Sequence, residues 1–405
     1  MLGLGLRLQA RAPAARFFAP GAALAIAFRT GQAMKGGLEV DPASLITVTR
    51  ANSGWSADKA GVVSAFAANT ARRTDAGLDL GELANRLHGA FPEHGTNTGS
   101  TTTTLPTDGL FAPREVSSQG SLIDRRSSGS FSITSGTLLA WRARVKTGTS
   151  GRCAIHLENT SASTISTISG PVGAMAVSAN AAGTVTISGS QTYGDGSVEL
   201  WGTWTPNAAG TAQLAVGPDS AVSGQSVQVI GAQVSQGETG WIMGSSGTVS
   251  QAGDVCLLDL TDLSLASGFM LRLDGELLST YPTQEYARVY QADGGNNANK
   301  LATYIYTPEQ DFRVEQHNAW ANQGMKPLGG VSPGAFSLTT AHGPNFVGGM
   351  LGGVAATPDT NAGYSAPTRL HVSSIENTFH QPMRLHRLAI YAEAPTQVRL
   401  AEISA

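Results

Sequence analysis

Between Leu139 and Lys146 the chain alternates: Leu139, Trp141, Ala143 and Val145 are apolar, while Arg142, Arg144 and Lys146 are charged. Successive side chains of a strand point to opposite faces, so a period of two marks a strand with one face turned to a core. Such a strand needs partners, and the neighbouring sequence supplies them. Thr184 to Ile187, Val198 to Trp204, Ala212 to Val216 and Val227 to Val234 are further candidates, with Gly or Pro between them. That spacing predicts a jelly roll or related antiparallel sandwich. Beyond Asp254 come Phe269 to Leu273, Tyr286 to Tyr290, Leu301 to Tyr306, Phe312 to Gln316 and Leu370 to Val372, which read as a second sandwich.

The 405 residues exceed one ordinary core and suffice for two or three domains. The 49 glycines suit many short strands and turns rather than long helices. Gly231 to Asp254 reads GAQVSQGETGWIMGSSGTVSQAGD, an apolar strand that stops at Val234 and gives way to Gly237, Gly240, Gly244 and Gly247. It is the expected joint between the two β-domains. Gly95 to Thr107, rich in Gly, Thr and Asn, is expected to be a linker or exposed loop.

Met1 to Gly37 carries Arg7, Arg11, Arg16, Arg29 and Lys35 and no acid, with an apolar run from Ala19 to Phe28. That run is too short to span a bilayer, and Pro20, Gly21 and Arg29 break a signal-peptide pattern. Two readings fit. One is an anchor onto a larger assembly through Phe17, Phe18, Leu24, Ile26 and Phe28; the other is a tail packed on its own domain. The net charge of −3 and the lack of a basic stripe argue against nucleic acid as partner. Cys153 and Cys256 fall on opposite sides of the joint and read as free thiols, and no Cys/His cluster suggests zinc.

Two stretches carry a resemblance. Val48-Thr-Arg-Ala51, Trp55-Ser-Ala-Asp58, Gly61-Val-Val63, Ala67-Ala-Asn69, Arg72 and Asn85-Arg-Leu87 occur in the order found in many phage tail and head-appendage proteins. At the joint, Gln233-Val-Ser, Gly237, Thr239 to Ile242 and Val249 to Asp254 are similar to the segment between two β-sandwich modules of the same kind of protein. The acidic pair usual before Asn85 is reduced here to Glu82, and Ala84 replaces a Thr. The end of the chain from Met383 resembles the last strand and closing helix of concanavalin A/laminin-G-like domains, with Thr396 as the cap. The resemblance implies an all-β chain with two antiparallel β-sandwich domains, jelly-roll and concanavalin A-like, in tandem after an N-terminal anchor. The expected division is 1–44 anchor, 45–94 connecting segment, 95–240 carbohydrate-binding-module-like jelly roll, 241–254 linker and 255–405 concanavalin A-like domain. It further implies a virion protein, assembled in the host cytoplasm, that forms a homo-oligomer, commonly a trimer. Its partners would be other virion proteins and host-surface polysaccharide, with no membrane contact and no cofactor.

Catalytic motifs are missing from the sequence, so a binding or structural role is expected rather than an enzyme. The acidic clusters Asp254/Asp259/Asp262 and Glu309/Asp311/Glu315 leave a glycosidase as the alternative, and a decoration protein without ligand as a third reading. Sugar recognition uses exposed aromatics with amides and carboxylates nearby. Trp141 and Trp204 are in phase with core positions, whereas Trp201 is out of phase and expected to face outward. The loops holding His317, Asn318 and Trp320, and Tyr364, are the expected glycan contacts of the second sandwich, with a buried or protomer-contact role for Trp320 also open. No metal site is expected.

Overall fold

The computed structural model describes residues 20–80, 84–87, 95–108, 110–236, 241–243, 249–251, 253–278, 286–295, 298–306, 308–319, 321–360, 363–373 and 381–405. As expected, the fold is all-β, with two antiparallel β-sandwiches of the jelly-roll and concanavalin A-like kind. Every strand candidate named above lies within an observed strand or overlaps one.

In the first sandwich the Leu139–Thr147 strand is central, hydrogen-bonded on one side to Ser226–Gln236 and on the other to Val198–Pro206. These belong to an eight-stranded sheet. A seven-stranded sheet built around Arg152–Asn159 and Gly210–Pro218 packs across it. The alternation works as its period demands. Trp141, Ala143 and Val145 enter the core with Trp204, Ile155, Leu157, Leu214 and Val229. Arg142 and Arg144 point out of the other face.

The expected linker at Gly95 to Thr107 instead contains two strands, Thr96–Thr98 and Ser100–Thr104. They lie on edges of the two sheets of the first sandwich, paired with Arg125–Ser127 and Arg114–Ser118. Thr is a good strand former, and on an edge most of its side chains stay in water. The composition therefore reads as loop although the backbone is paired.

The second sandwich is discontinuous in sequence. One sheet has ten strands, with Met383–Tyr391 and Phe269–Leu277 at its centre and Leu24–Ala27, Gln32–Lys35 and Leu38–Val40 extending it. The Gly77–Leu80 strand pairs with the first residues of Met383–Tyr391. The opposing sheet has seven strands in the order Ala321–Gly330, Asp311–Asn318, Lys300–Tyr306, Tyr286–Asp293, Arg369–Val372, Val255–Asp259, Ile46–Thr49. The closing helix Gln397–Ser404, capped by Thr396 Oγ1 on the Arg399 amide at 3.1 Å, lays Leu400 and Ile403 on the outside of the ten-stranded sheet.

This arrangement corrects the anchor reading for Leu24, Ile26 and Phe28. All three are buried in the protein's own second core, with Leu271, Leu273, Leu388 and Ile390. Ala25, between them, faces the closing helix on the other side of the sheet. A strand covered on both faces is apolar throughout, which is why it resembles a sticky tail. Phe17 and Phe18 lie outside the described residues. Cys153 and Cys256 are buried free thiols in separate cores.

Candidate functional site

Two structures occupy the seam between the sandwiches: a clasp and a cavity. The clasp is built from the residues that carry the resemblance. Arg50 donates from Nη1 to Asp254 Oδ1 at 2.7 Å, and Arg72 donates from Nη2 to Asp254 Oδ2. None of the three side chains is more than 1% exposed. The guanidinium groups also close off backbone carbonyls: Arg50 on Asn52 and Ala67, both at 2.8 Å, and Arg72 on Trp55 at 2.9 Å. Gly54 sits where the two arginines cross, and a Cβ there would come within 2.8 Å of Arg72 and 2.9 Å of Arg50. The residue is Gly for space, not for a turn. Next to the clasp, Ala84–Arg86 is held between the end of Ser226–Gln236 and Val249–Gln251. Arg86 donates to the Ile242 carbonyl at 2.7 Å, and the Ile242 amide donates to Gln233 Oε1 at 2.9 Å.

A hairpin, Gly54–Ala57 with Val63–Phe66, reaches over the outer face of the first sandwich. Its Ala57 and Val63 pack on Phe111, Ile230 and Trp241. Under it Arg144, fully buried, donates to the Gly61 carbonyl and lies 4.5 Å from the Tyr193 ring centre. The outward face of the first sandwich is thus covered, which explains how Arg142 and Arg144 come to be buried.

The cavity opens beside this hairpin and has a volume of about 370 Å³. The first sandwich supplies Arg142, Gln191, Tyr193, Glu199, Trp201 and Trp241 to its wall. Asp79, Glu276 and Arg384, with Leu277, Leu278 and the Pro333 to Ala335 turn, come from the second. Glu199 is its electrostatic centre. One carboxylate oxygen is ion-paired with Arg142, and the other accepts the Tyr193 hydroxyl at 2.8 Å and the Trp241 indole N–H at 3.1 Å. The Arg142 guanidinium lies 5.3 Å from the Trp201 ring centre and 5.8 Å from that of Trp241, within cation–π range. Trp201 is half-buried, and Gly189 allows its ring to lie flat, since a Cβ at that position would approach it to 2.4 Å.

Across the cavity, Asp79 accepts from Arg384 at 2.6 and 3.2 Å and from the Ser56 hydroxyl at 2.6 Å. Burial, the largest single influence, would raise the Asp79 carboxyl, but the charge and hydrogen bond of Arg384, the Arg72 charge and the Ser56 hydroxyl together outweigh it and hold the group below the usual carboxylate range. Glu276 is also held low, first by its bond to the His386 ring. Burial and then the Glu199 charge push the Tyr193 phenol up. Both Asp79 and Glu276 are therefore ionised at neutral pH and poorly suited to donate a proton. The site is a set of fixed charges and aromatic faces.

The other residues singled out from sequence are dispersed. Trp201 is in the cavity. Trp141 and Trp204 are core residues at 1% and 0% exposure, as their phase requires. His317 and Asn318 end the Asp311–Asn318 strand in the second sandwich, with His317 Nε2 3.4 Å from Glu315. Tyr364 packs on the second core, where its hydroxyl donates to the Leu265 carbonyl at 2.6 Å, so it is turned inward rather than toward a ligand. Trp320 lies outside the described residues. The acidic clusters are engaged as well. Glu309 and Asp311 both pair with Arg313, while Glu315 is held at about 2 by His317, Arg288 and Lys300 against its own burial. Asp254 is the centre of the clasp, and Asp262 takes Lys35 at 2.9 Å. Glu199, Tyr193, Asp79 and Arg384 were not singled out from sequence. The one available signal was that Arg142 and Glu199 stand on the polar phase of strands whose other face is core.

No protein-family model matches the chain, and no curated protein matches it. Among solved structures it is similar to the NanB sialidase of Streptococcus pneumoniae, at 11% identity over 36% of this chain and 26% of that one, with a TM-score of 0.28. It is also similar to the CBM40 of the Ruminococcus gnavus IT-sialidase bound to α2,6-sialyllactose, at 11% identity over 36% of this chain and 91% of that one, with a TM-score of 0.27. A third similarity is to domains LG4-5 of the mouse laminin α1 chain, at 8% identity over 65% and 91% of the two chains, with a TM-score of 0.22. The chain spans about a quarter of the NanB sialidase chain. Scores this low carry no argument about ligand or activity.

Proposed function

We propose that this chain is a glycan-binding component of a bacteriophage virion appendage, a tail fibre, tail spike or head spike, that binds without cleaving. The observation that carries the glycan reading is Trp201. It is a half-buried indole on the wall of a cavity whose volume lies in the small-ligand range of about 300–1,000 Å³, beside an Arg–Glu pair and the Gln191 amide. An aromatic face with directional polar groups at its edge is what a sugar ring needs. Cleavage would need a carboxylic acid kept protonated near neutral pH, and Asp79 and Glu276 are both held on the ionised side.

The phage reading rests on the resemblance, and the clasp supports it. Arg50, Arg72, Arg86, Gln233, Ile242 and Asp254, all within the quoted stretches, are joined by the contacts described above. A homo-oligomer, most simply a trimer, accords with apolar side chains left in water at one end of the first sandwich: Leu122, Ile123 and Val222 are each more than half exposed. Several copies would give weak single sites a useful avidity.

The test is a glycan array with the full chain and its Trp201→Ala variant. Binding that falls about tenfold or more in the variant supports the reading, a loss comparable to the roughly 1–3 kcal/mol that base stacking on an aromatic contributes. A silent array, or binding indifferent to Trp201, overturns it. Release of new reducing ends from host polysaccharide would overturn the non-catalytic part. Labelled antibody on intact particles tests virion location, and light scattering tests the oligomer.

A further inference from the structure

We infer that the seam cavity takes neutral or amine-bearing sugars and rejects acidic ones such as sialic or uronic acids; this rests on the reading of the cavity as a glycan site. The charged groups on its wall decide this. Two guanidinium groups line it, Arg142 and Arg384, against three carboxylates, Asp79, Glu199 and Glu276.

Both cations are already committed. The Arg142–Glu199 side chains are 11% and 3% exposed, and the Arg384–Asp79 side chains 13% and 4%. A sugar carboxylate would have to share either arginine with a protein carboxylate already held in a largely buried pair. It would bring a second negative charge onto a guanidinium whose charge is already balanced, in a poorly solvated place. Two neutral donors, the Tyr193 hydroxyl and the Trp241 indole N–H, are spent on Glu199, while among the described residues the Trp201 indole N–H has no partner and suits a neutral acceptor such as a sugar hydroxyl.

The charge that the wall leaves open is an acceptor. Glu276 is the most open of the three acids, its side chain 32% exposed. Its Oε1 takes Arg29 at 3.2 Å and His386 at 3.0 Å. Among the described residues its Oε2 accepts no hydrogen bond. A sugar hydroxyl can donate to that oxygen, and an ammonium can pair with it. A carboxylate would meet it as a like charge. Arg29, 39% exposed on the solvent side, offsets part of the Glu276 charge without supplying a free cation to the cavity.

The experiment uses the full chain at fixed salt against matched oligosaccharides. One position carries in turn a hydroxymethyl group, a carboxylate or a primary amine, and each is titrated against wild type, Trp201→Ala and Glu276→Gln. We expect the acidic member to bind about tenfold more weakly than its neutral counterpart, as like-charge contact in a site requires. Glu276→Gln should narrow that gap and remove any advantage of the amine. Acidic members that bind as tightly as neutral ones, in a Trp201-dependent way, overturn this inference and leave the glycan reading standing. Absence of Trp201-dependent binding to any member overturns the glycan reading itself. The comparison of matched ligands on wild type needs no variant, so a misfolded Glu276→Gln would not block the outcome.

Discussion

The two sandwiches are built alike and assembled differently. Among the described residues the first draws nearly all its strands from one continuous stretch, Thr96 to Gln236, with Ala84–Arg86 and Val249–Gln251 added beside its last long strand. The second takes strands from both ends of the chain. Leu24–Ala27 pairs with Met383–Tyr391, and Ile46–Thr49 pairs with Val255–Asp259, so its two sheets both close over the first sandwich's sequence. A contiguous domain can form from local hairpins. A domain closed by its own N-terminus depends on pairs more than two hundred residues apart, whose loop-closure entropy must be met before they stabilise anything. The second sandwich is therefore the one that truncation and clasp mutations should damage.

The largest expected effect is from removing residues 1–35. This takes away Leu24, Ile26 and Phe28, each nearly or fully buried. Burying such a side chain is worth about 1.5–3 kcal/mol, and the loss also exposes an edge of the Met383–Tyr391 strand. Calorimetry should show the second sandwich's transition abolished and the first sandwich's kept. If both transitions survive unchanged, the assembly contrast drawn here is wrong.

Next in size is Asp254→Ala. It leaves Arg50 and Arg72 buried with no counter-charge, and breaking a buried pair in this way costs about 3–5 kcal/mol. Urea unfolding should place the loss in the second sandwich. Trp204→Ala is the matching lesion in the first core, at about 3–5 kcal/mol, and should spare the second. Overlapping loss in both transitions would mean that the sandwiches unfold as one unit.

How much of this was legible follows the same division. The first sandwich could be read from sequence because its strands turn one apolar face to the core and keep polar residues on the other, as at Leu139 to Lys146, even where that other face is covered. The N-terminal strand could not, because Leu24 and Ile26 face one core while Ala25 faces the closing helix. A strand packed against apolar surface on both sides loses the alternation that identifies it. Gly95 to Thr107 failed in the opposite direction, since edge strands in water look like loops. At the cavity, Trp201 was recognisable as out of phase with the core. Its partners were not, because Asp79 and Arg384 come from sequence far away on the other sandwich.

Acid should separate the sandwiches more gently. Burial lowers His156 of the first sandwich to about 4 and His342 of the second to about 3. Both are neutral when folded at pH 5, while an unfolded histidine titrates near 6.5. The unfolded state then binds the extra proton, so stability is lost as pH falls below about 6.5. The loss per histidine is roughly 1–2 kcal/mol by pH 5. Below about 4 the His156 contribution levels off, while His342 keeps losing until about 3. Glu315, also in the second sandwich and held at about 2, adds to the loss below its ordinary value of 4.5. The two transitions should fall together from pH 6.5 to 5 and diverge below 4, the second faster. His342→Gln should flatten the second slope alone; if it does not, the titration responsible lies elsewhere.

The smallest effect tests the seam itself. Val63 is 2% exposed in the cluster that joins the hairpin to Phe111, Ile230 and Trp241, and it lies in neither main core. Val63→Ala removes two methyl groups from that contact, a loss of about 1–2 kcal/mol at about 0.8 kcal/mol per buried carbon. Neither sandwich should melt appreciably earlier by itself. What should weaken is the link between them, seen as a wider separation of the two calorimetric transitions. The cavity is walled by both sandwiches, so glycan affinity should fall with the link although Val63 touches no ligand. Affinity that stays unchanged while the transitions separate would show that the first sandwich's half, Arg142, Glu199 and Trp201, suffices for binding, and that the second sandwich only covers it.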